Sequence, residues 1–224
     1  MVAALYHSWR ARNGRVHNKP FPLPRVIAAL VHFSEAQEQF SSNMGNWDPN
    51  SLQGCCYPSA SHCDPPPPRW IKVNFDGSVK QNDAVGAGRV VRDHCGNLLL
   101  AAGSKLYTQA TLTAEATGAL IALTAAQEWA DTADGIWIEG DSAITIVDLH
   151  RTARGHPPDR TMAQISALLD AFKAHKISHV YRAANRAADF VASFSCLDNT
   201  EWRRGMSLPL DFCAILNEDR TFCT

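Results

Sequence analysis

The segment Trp70-Ile-Lys-Val-Asn-Phe-Asp-Gly-Ser78 decides how the rest of the chain is read. Val73 and Phe75 alternate with Lys72, Asn74 and Asp76, the two-residue period of a strand with one buried face. Asp76 therefore falls at the strand's end. There Gly77 permits a tight turn and leaves the carboxylate directed into open space, an arrangement suited to holding a metal ion. Asp-Gly-Ser is equally an ordinary turn sequence, so the segment by itself leaves both readings open.

Downstream, Gln81-Asn-Asp83 reads as a loop, and residues 84–92 and 98–104 read as two further strands. The turn residues Asp93-His-Cys-Gly-Asn97 separate them, which predicts an antiparallel meander. Gly86 and Gly88 lie inside the second strand, where glycine marks a bulge or the close approach of another element. No helix follows them, so this Gly-x-Gly is not a nucleotide loop.

From Thr111 to Ala130 the period becomes helical, with Glu115, Ala119, Ala122 and Ala126 at spacings of three and four and Thr113 as N-cap. Glu115 then stands in the first turn. It either complements the helix dipole there or faces Asp76 across a site. Residues 135–142 form a short strand ending in Asp141-Ser142, either of which can cap the next helix. A loop with Gly155, Pro157 and Pro158 leads to a helix over 160–174, a strand over 177–182 and a helix over 185–194 that carries Asp189. Three strands followed by strand and helix alternation predict an α/β domain with a mixed sheet and helices on its faces.

Upstream, residues 1–69 read as a separate leader, with one amphipathic helix over 23–40. Residues 41–68 are rich in Ser, Asn, Gly and Pro and end in four consecutive prolines, a composition expected to act as an extended, semi-rigid spacer. A domain over 70–198 and a tail over 199–224 that packs on it complete the expected organisation.

Of 224 residues, 46% are hydrophobic and 19% charged, values of a soluble globular protein. No apolar run approaches the roughly 18 residues of a membrane span, and no long apolar stretch follows a basic start at the N-terminus. An intracellular location, nucleus or cytoplasm, and a monomer without membrane contact are the expectations. Seven cysteines include no CxxC pair, and an odd number cannot all pair within the chain. Cys55, Cys56, His62 and Cys63 cluster, yet the second pair of ligands that zinc sites usually have is missing. The leader holds six Lys and Arg against four acids, leaving fifteen basic and eighteen acidic residues in 70–224. Such a balance argues against tight, sequence-independent nucleic-acid binding.

Asp76, Glu115, Asp141 and Asp189 come from a strand end, a helix start, a strand end and a helix start, positions that a mixed sheet can bring to one edge. Four close carboxylates repel and persist only with cations or protons between them. Hard oxygen ligands suit Mg²⁺. A pair of such ions about 4 Å apart can activate water and stabilise a leaving oxygen in phosphodiester cleavage, which is nuclease chemistry.

Asn74-Phe-Asp-Gly-Ser78, Ala114-Glu115, Glu139-Gly-Asp-Ser142 and Asn185-Arg-Ala-Ala-Asp189 together resemble the type 1 ribonuclease H pattern. Val90-Val-Arg-Asp93 with Gly96-Asn97, and His179-Val-Tyr-Arg182 with Asn185, resemble more narrowly the plant ribonuclease H-like domains related to the reverse transcriptases of non-LTR retroelements. The resemblance covers residues 70–198. It implies a five-stranded mixed sheet, three antiparallel strands and then two parallel ones, flanked by helices. It also implies hydrolysis of the RNA strand of RNA–DNA hybrids, with the four acids as ligands of two Mg²⁺ ions that Mn²⁺ can replace.

By the same resemblance Gly77, Ser78, Ser142 and Asn185 border the substrate, and Asn185 shapes the loop before Asp189. His179 stands ten residues before Asp189, the spacing of a catalytic His carried on a flexible, glycine-containing loop in ribonucleases H. No glycine follows it here, which predicts a His held in a strand. Arg186 stands where an acid is frequent, and no separate basic lobe intervenes between Asp141 and Asp189. A binding or interaction module derived from a retroelement is the rival reading. A 3′–5′ exonuclease of related fold also uses four acids, but such enzymes generally carry Asp-x-Glu on the first strand, and here Gly77-Ser78 follows Asp76.

Overall fold

The computed structural model describes residues 65–80, 83–107 and 111–220. The expected helix over 23–40, the spacer up to residue 64 and the cysteine–histidine cluster lie outside the described residues. Among the described residues no helix is long and apolar enough to cross a membrane.

Trp70–Val79 forms β1, followed by β2 (Val85–Arg92), β3 (Leu98–Leu106), β4 (Gly135–Gly140), β5 (His175–His179) and β6 (Thr200–Arg203). They make one mixed sheet in the order β5-β4-β1-β2-β3-β6. β1, β2, β3 and β6 are antiparallel neighbours, and β4 and β5 join parallel to β1. Parallel joins need crossover helices. These are α1 (Thr111–Ala126), leading into β4, and the pair α2 (Ala143–Ala153) and α3 (Arg160–Leu169), leading into β5. α4 (Arg186–Ser195) and α5 (Leu210–Arg220) complete the helices of the described residues.

Among the described residues the sheet has six strands where five are expected. The sixth, Thr-Glu-Trp-Arg, comes from the expected tail and pairs with Leu100 to Gly103 of β3. Its four residues are half-exposed or exposed. A short, charged edge strand of this kind carries almost no periodic signal. β5 also differs from expectation: it ends at His179, so Val180 to Arg182 lie outside it. Val180 makes one last backbone bond to Gly140, and the chain then turns through a single 3₁₀ turn over Arg182–Ala184.

Successive strand residues face opposite sides of a sheet, and β2 shows what each side meets. A Cβ on Gly88 would lie 2.3 Å from the backbone nitrogen of Ala192 in α4. Only glycine lets that helix settle so close. Ala87, pointing the other way, touches Gly118 of α1. Helices therefore cover β2 on both sides.

β1 is covered in the same way, which corrects the one-faced pattern expected for it. Lys72 and Asn74 are as buried as Val73 and Phe75. Buried polar groups require partners, and they have them. Lys72 Nζ stands 2.7 Å from a Glu139 carboxylate oxygen, and Glu139 also accepts from Asn74 Nδ2 at 3.3 Å and Ser178 Oγ at 3.0 Å. Arg92 donates to Asn74 Oδ1 at 3.1 Å and to Asp219 of α5 at 2.6 Å. A sequence that alternates apolar and polar thus builds two buried faces, one packed by contact and one by charge pairs.

α5 reaches this polar layer at Asp219 and the apolar core at Phe212. Phe212 is fully buried with Val90, Ala101, Ala187 and Val191. Its ring stacks on Phe190 at 5.2 Å between centroids and leans on Trp202 of β6 at 5.6 Å. Phe212→Ala is expected to cost about 3–5 kcal/mol, the range for emptying a buried aromatic site. A urea unfolding curve monitored by tryptophan fluorescence measures it.

Candidate active site

Parallel pairing of β1 with β4 places Asn74 opposite Glu139. Two residues further along, the same offset brings Asp76 level with Asp141, just past the end of β4. α1 supplies the third acid. β1 runs on through Gly77 to Val79, so Asp76 lies inside the strand, where a strand end and a glycine turn were expected. A Cβ on Gly77 would stand 2.7 Å from the Glu115 backbone nitrogen, so the glycine after Asp76 is what admits the helix to this part of β1. Asp76, Glu115 and Asp141 each offer an oxygen, and these atoms lie within 4.8 Å of one another.

α1 begins two residues before the expected Thr113 cap, and no acid stands in its first turn. Glu115 belongs to the following turn, where the dipole explanation loses most of its force. It is buried, and its Oε2 has no hydrogen-bond partner. Its carboxylate accepts from the Gly77 N–H.

Burial is the largest reason that the Asp76 carboxyl is pushed up to about 9, followed by the charges of Glu115, Asp141 and Asp189. Glu115 is pushed up to about 8, first by burial and then by Asp141; the Gly77 N–H and Arg182 act in the opposite direction. Desolvation and like charge together make this cluster a proton trap or a cation site. A hard, all-oxygen donor set with one orphaned buried oxygen fits Mg²⁺ or Mn²⁺ better than a softer metal.

The fourth acid is placed differently. Asp189 lies in the first turn of α4, near enough to raise Asp76 and Glu115 through its charge. Its Oδ1 accepts from Nη2 of Arg182, on the preceding 3₁₀ turn. The structure thus joins three of the four acids in one cluster and sets the fourth beside it in an ion pair.

Residues 74–195 match the reverse transcriptase-like family, over more than half of the chain. The chain belongs to that family. Residues 74–195 form its ribonuclease H-like domain.

An Arabidopsis thaliana protein, provisionally named a ribonuclease H protein, is 29% identical over 157 residues, which are 67% of this chain and 24% of that one. The chain thus spans about a quarter of that relative's length. Among solved structures, ribonuclease H1 from the halophilic archaeon Halobacterium salinarum is 25% identical with a TM-score of 0.48, covering 56% of this chain and 96% of its own. LC11 ribonuclease H1 in complex with an RNA/DNA hybrid is 20% identical with a TM-score of 0.48, over 56% of this chain and 96% of its own.

The remaining expected residues of this reverse transcriptase-like domain fall around the acids. Ser78, near the end of β1, has its Oγ 3.3 Å from Ser193 Oγ of α4, and Lys80 Nζ donates to the same Ser193 oxygen at 3.0 Å. Ser142 is the N-cap of α2, its oxygen accepting from the Thr145 N–H. Asn185 is buried, donating to the Phe75 carbonyl at 2.9 Å and accepting from Asn74. Its side chain fastens the start of α4 to β1. His179 is the last residue of β5, with Nε2 3.1 Å from the Asp141 carbonyl and its ring edge-on to Tyr181.

Lys80, Ser193 and the pairing of Arg182 with Asp189 escaped the sequence reading. An arginine seven residues before an acid signals nothing until the intervening turn is known. Ser193 and Lys80 come from distant segments that only the packing of α4 on β1 brings together.

Raised carboxyl pKa values have a definite consequence for stability. Between about 4 and about 9 the folded cluster holds protons that the unfolded chain releases, so stability without metal falls as pH rises through that window. With a chelator present, the urea midpoint is expected to drop from pH 5 to pH 9, and millimolar Mg²⁺ is expected to reverse much of the drop. Asp76→Asn should be more stable than the wild type at pH 8 under chelation, by roughly 1–3 kcal/mol, and should show a flatter pH profile.

Proposed function

We propose that this domain is a divalent-cation-dependent endonuclease that hydrolyses the RNA strand of RNA–DNA hybrids. The observation that carries the reading is the cluster of Asp76, Glu115 and Asp141 around one buried oxygen without a partner. The name of the Arabidopsis relative and membership of the family support it.

Asp76, Glu115, Asp141 and Asp189 would hold two Mg²⁺ ions, or Mn²⁺ in their place. When bound, such ions supply Lewis-acid activation of water and neutralise charge that develops on the phosphodiester. The chain's own residues orient the reaction. Ser78, Ser193 and Lys80 present two hydroxyls and an ammonium at the end of β1, a short way along the strand from Asp76, donors suited to a backbone phosphate of the bound strand. Discrimination of RNA from DNA would rest on shape and 2′-hydroxyl contacts, with little base readout. His179, tied to the Asp141 carbonyl, positions that ligand's backbone more readily than it shuttles protons.

One observation favours the rival reading, a nucleic-acid-binding module with little turnover: Asp189 is paired with Arg182. The two readings separate in one assay. With a labelled hybrid and Mg²⁺ or Mn²⁺, the wild type is expected to cut the RNA strand, and Asp76→Asn to lose at least about a hundredfold in rate, as the loss of several kcal/mol of charge stabilisation implies. Hybrid binding without cleavage under either ion, by a protein whose circular dichroism shows it folded, would establish the binding module instead.

A further inference from the structure

Arg182 is three-quarters exposed, yet its guanidinium is spent on Asp189, which is itself 30% exposed. Asp76 and Asp141 add a weaker, longer-range attraction to that of Asp189. The 3₁₀ turn over Arg182–Ala184 that carries it leads directly into α4 and Asp189. A guanidinium and a divalent ion compete for the same carboxylate oxygen, and a carboxylate accepting a charge-assisted hydrogen bond is a poorer ligand for an ion. Glu115, by contrast, keeps one buried oxygen, Oε2, with no hydrogen-bond partner.

A planar guanidinium also matches the phosphodiester group, which it can grip with two parallel hydrogen bonds. A nucleic-acid strand entering the site therefore offers Arg182 a second partner. An exposed side chain can change partners without disturbing the core.

We propose that Arg182 is a latch on Asp189: without nucleic acid it keeps that carboxylate from serving a second divalent ion, and a phosphate of the bound strand draws it away. The proposal rests on the metal reading above and adds an order of events. The first ion binds to Asp76, Glu115 and Asp141, the strand then engages Arg182, and the second ion follows.

Mn²⁺ titration of the full chain, with free Mn²⁺ followed by electron paramagnetic resonance, tests this without any turnover. The wild type is expected to bind one ion more tightly than the second. Arg182→Gln should tighten the second site several-fold to about tenfold, the scale set by a partly exposed ion pair, and tighten the first by a smaller factor, since Arg182 acts on its acids only at longer range. Arg182→Lys, which keeps the charge and loses the fork, should fall between them. A hybrid whose RNA strand is 2′-O-methylated, and so is not cleaved, should tighten the second site in the wild type and have little effect in Arg182→Gln. Equal second-site affinities in wild type and Arg182→Gln overturn the latch while leaving the metal reading intact. Absence of any Mn²⁺ binding by the wild type overturns both.

Discussion

Mutual repulsion of Asp76, Glu115 and Asp141 is the constraint around which the rest of the domain is arranged. Three acid oxygens within 4.8 Å, on largely desolvated side chains, oppose the fold whenever they are ionised. The remaining structure has to hold them there. Two of the three are carried by adjacent strands, whose parallel register resists sliding because a shift of one residue would turn every side chain to the wrong face. The third is carried by a helix that Gly77 and Gly118 let approach β1 beside Asp76. Under the proposed function, rigidity at this point would serve the reaction as well as the fold, since a preorganised cluster need not rearrange when charge develops.

Beneath the site, the polar face of β1 meets a second demand. Lys72, Arg92 and Glu139 are buried charges, and a buried charge is tolerable only when paired and hydrogen-bonded. Glu139 joins Lys72, Asn74 and Ser178, so one acid ties β1, β4 and β5 together. Arg92 draws in Asp219 from the C-terminal helix. Replacing such pairs by hydrophobic residues is often neutral for stability, so their contribution is better described as selectivity. A strand slipped by two residues would leave several of them unpaired. That penalty protects the register that levels Asp76 with Asp141.

How far the sequence could be read follows from which residues act locally. Gly86 and Gly88 announced a close neighbour without naming it, and the neighbour is α4. Four acids at element ends pointed to one edge of the sheet, because the ends of neighbouring strands and helices are set by topology. Glu115 was assigned to a first turn by the apparent cap at Thr113, whereas the helix begins at Thr111. Alternation alone cannot distinguish a face in water from a layer of buried ion pairs, so the one-faced pattern gave no sign that Lys72 and Asn74 are buried. β6 was invisible for a different reason: its pairing partner, β3, lies nearly a hundred residues away, and four half-exposed residues hold no period.

The same division explains the loop between β5 and α4. Without glycine after His179, the chain stays on β5 long enough for its ring to reach the Asp141 carbonyl. It then crosses to α4 through one 3₁₀ turn that Asn185 pins to the Phe75 carbonyl. A short, pinned connection has little freedom to carry a mobile histidine into and out of a site. It does present one long, exposed side chain whose own torsions provide the reach that the backbone lacks, and that side chain is Arg182. Movement at this edge of the site therefore belongs to a side chain, where loop motion would serve in a chain with a longer connection.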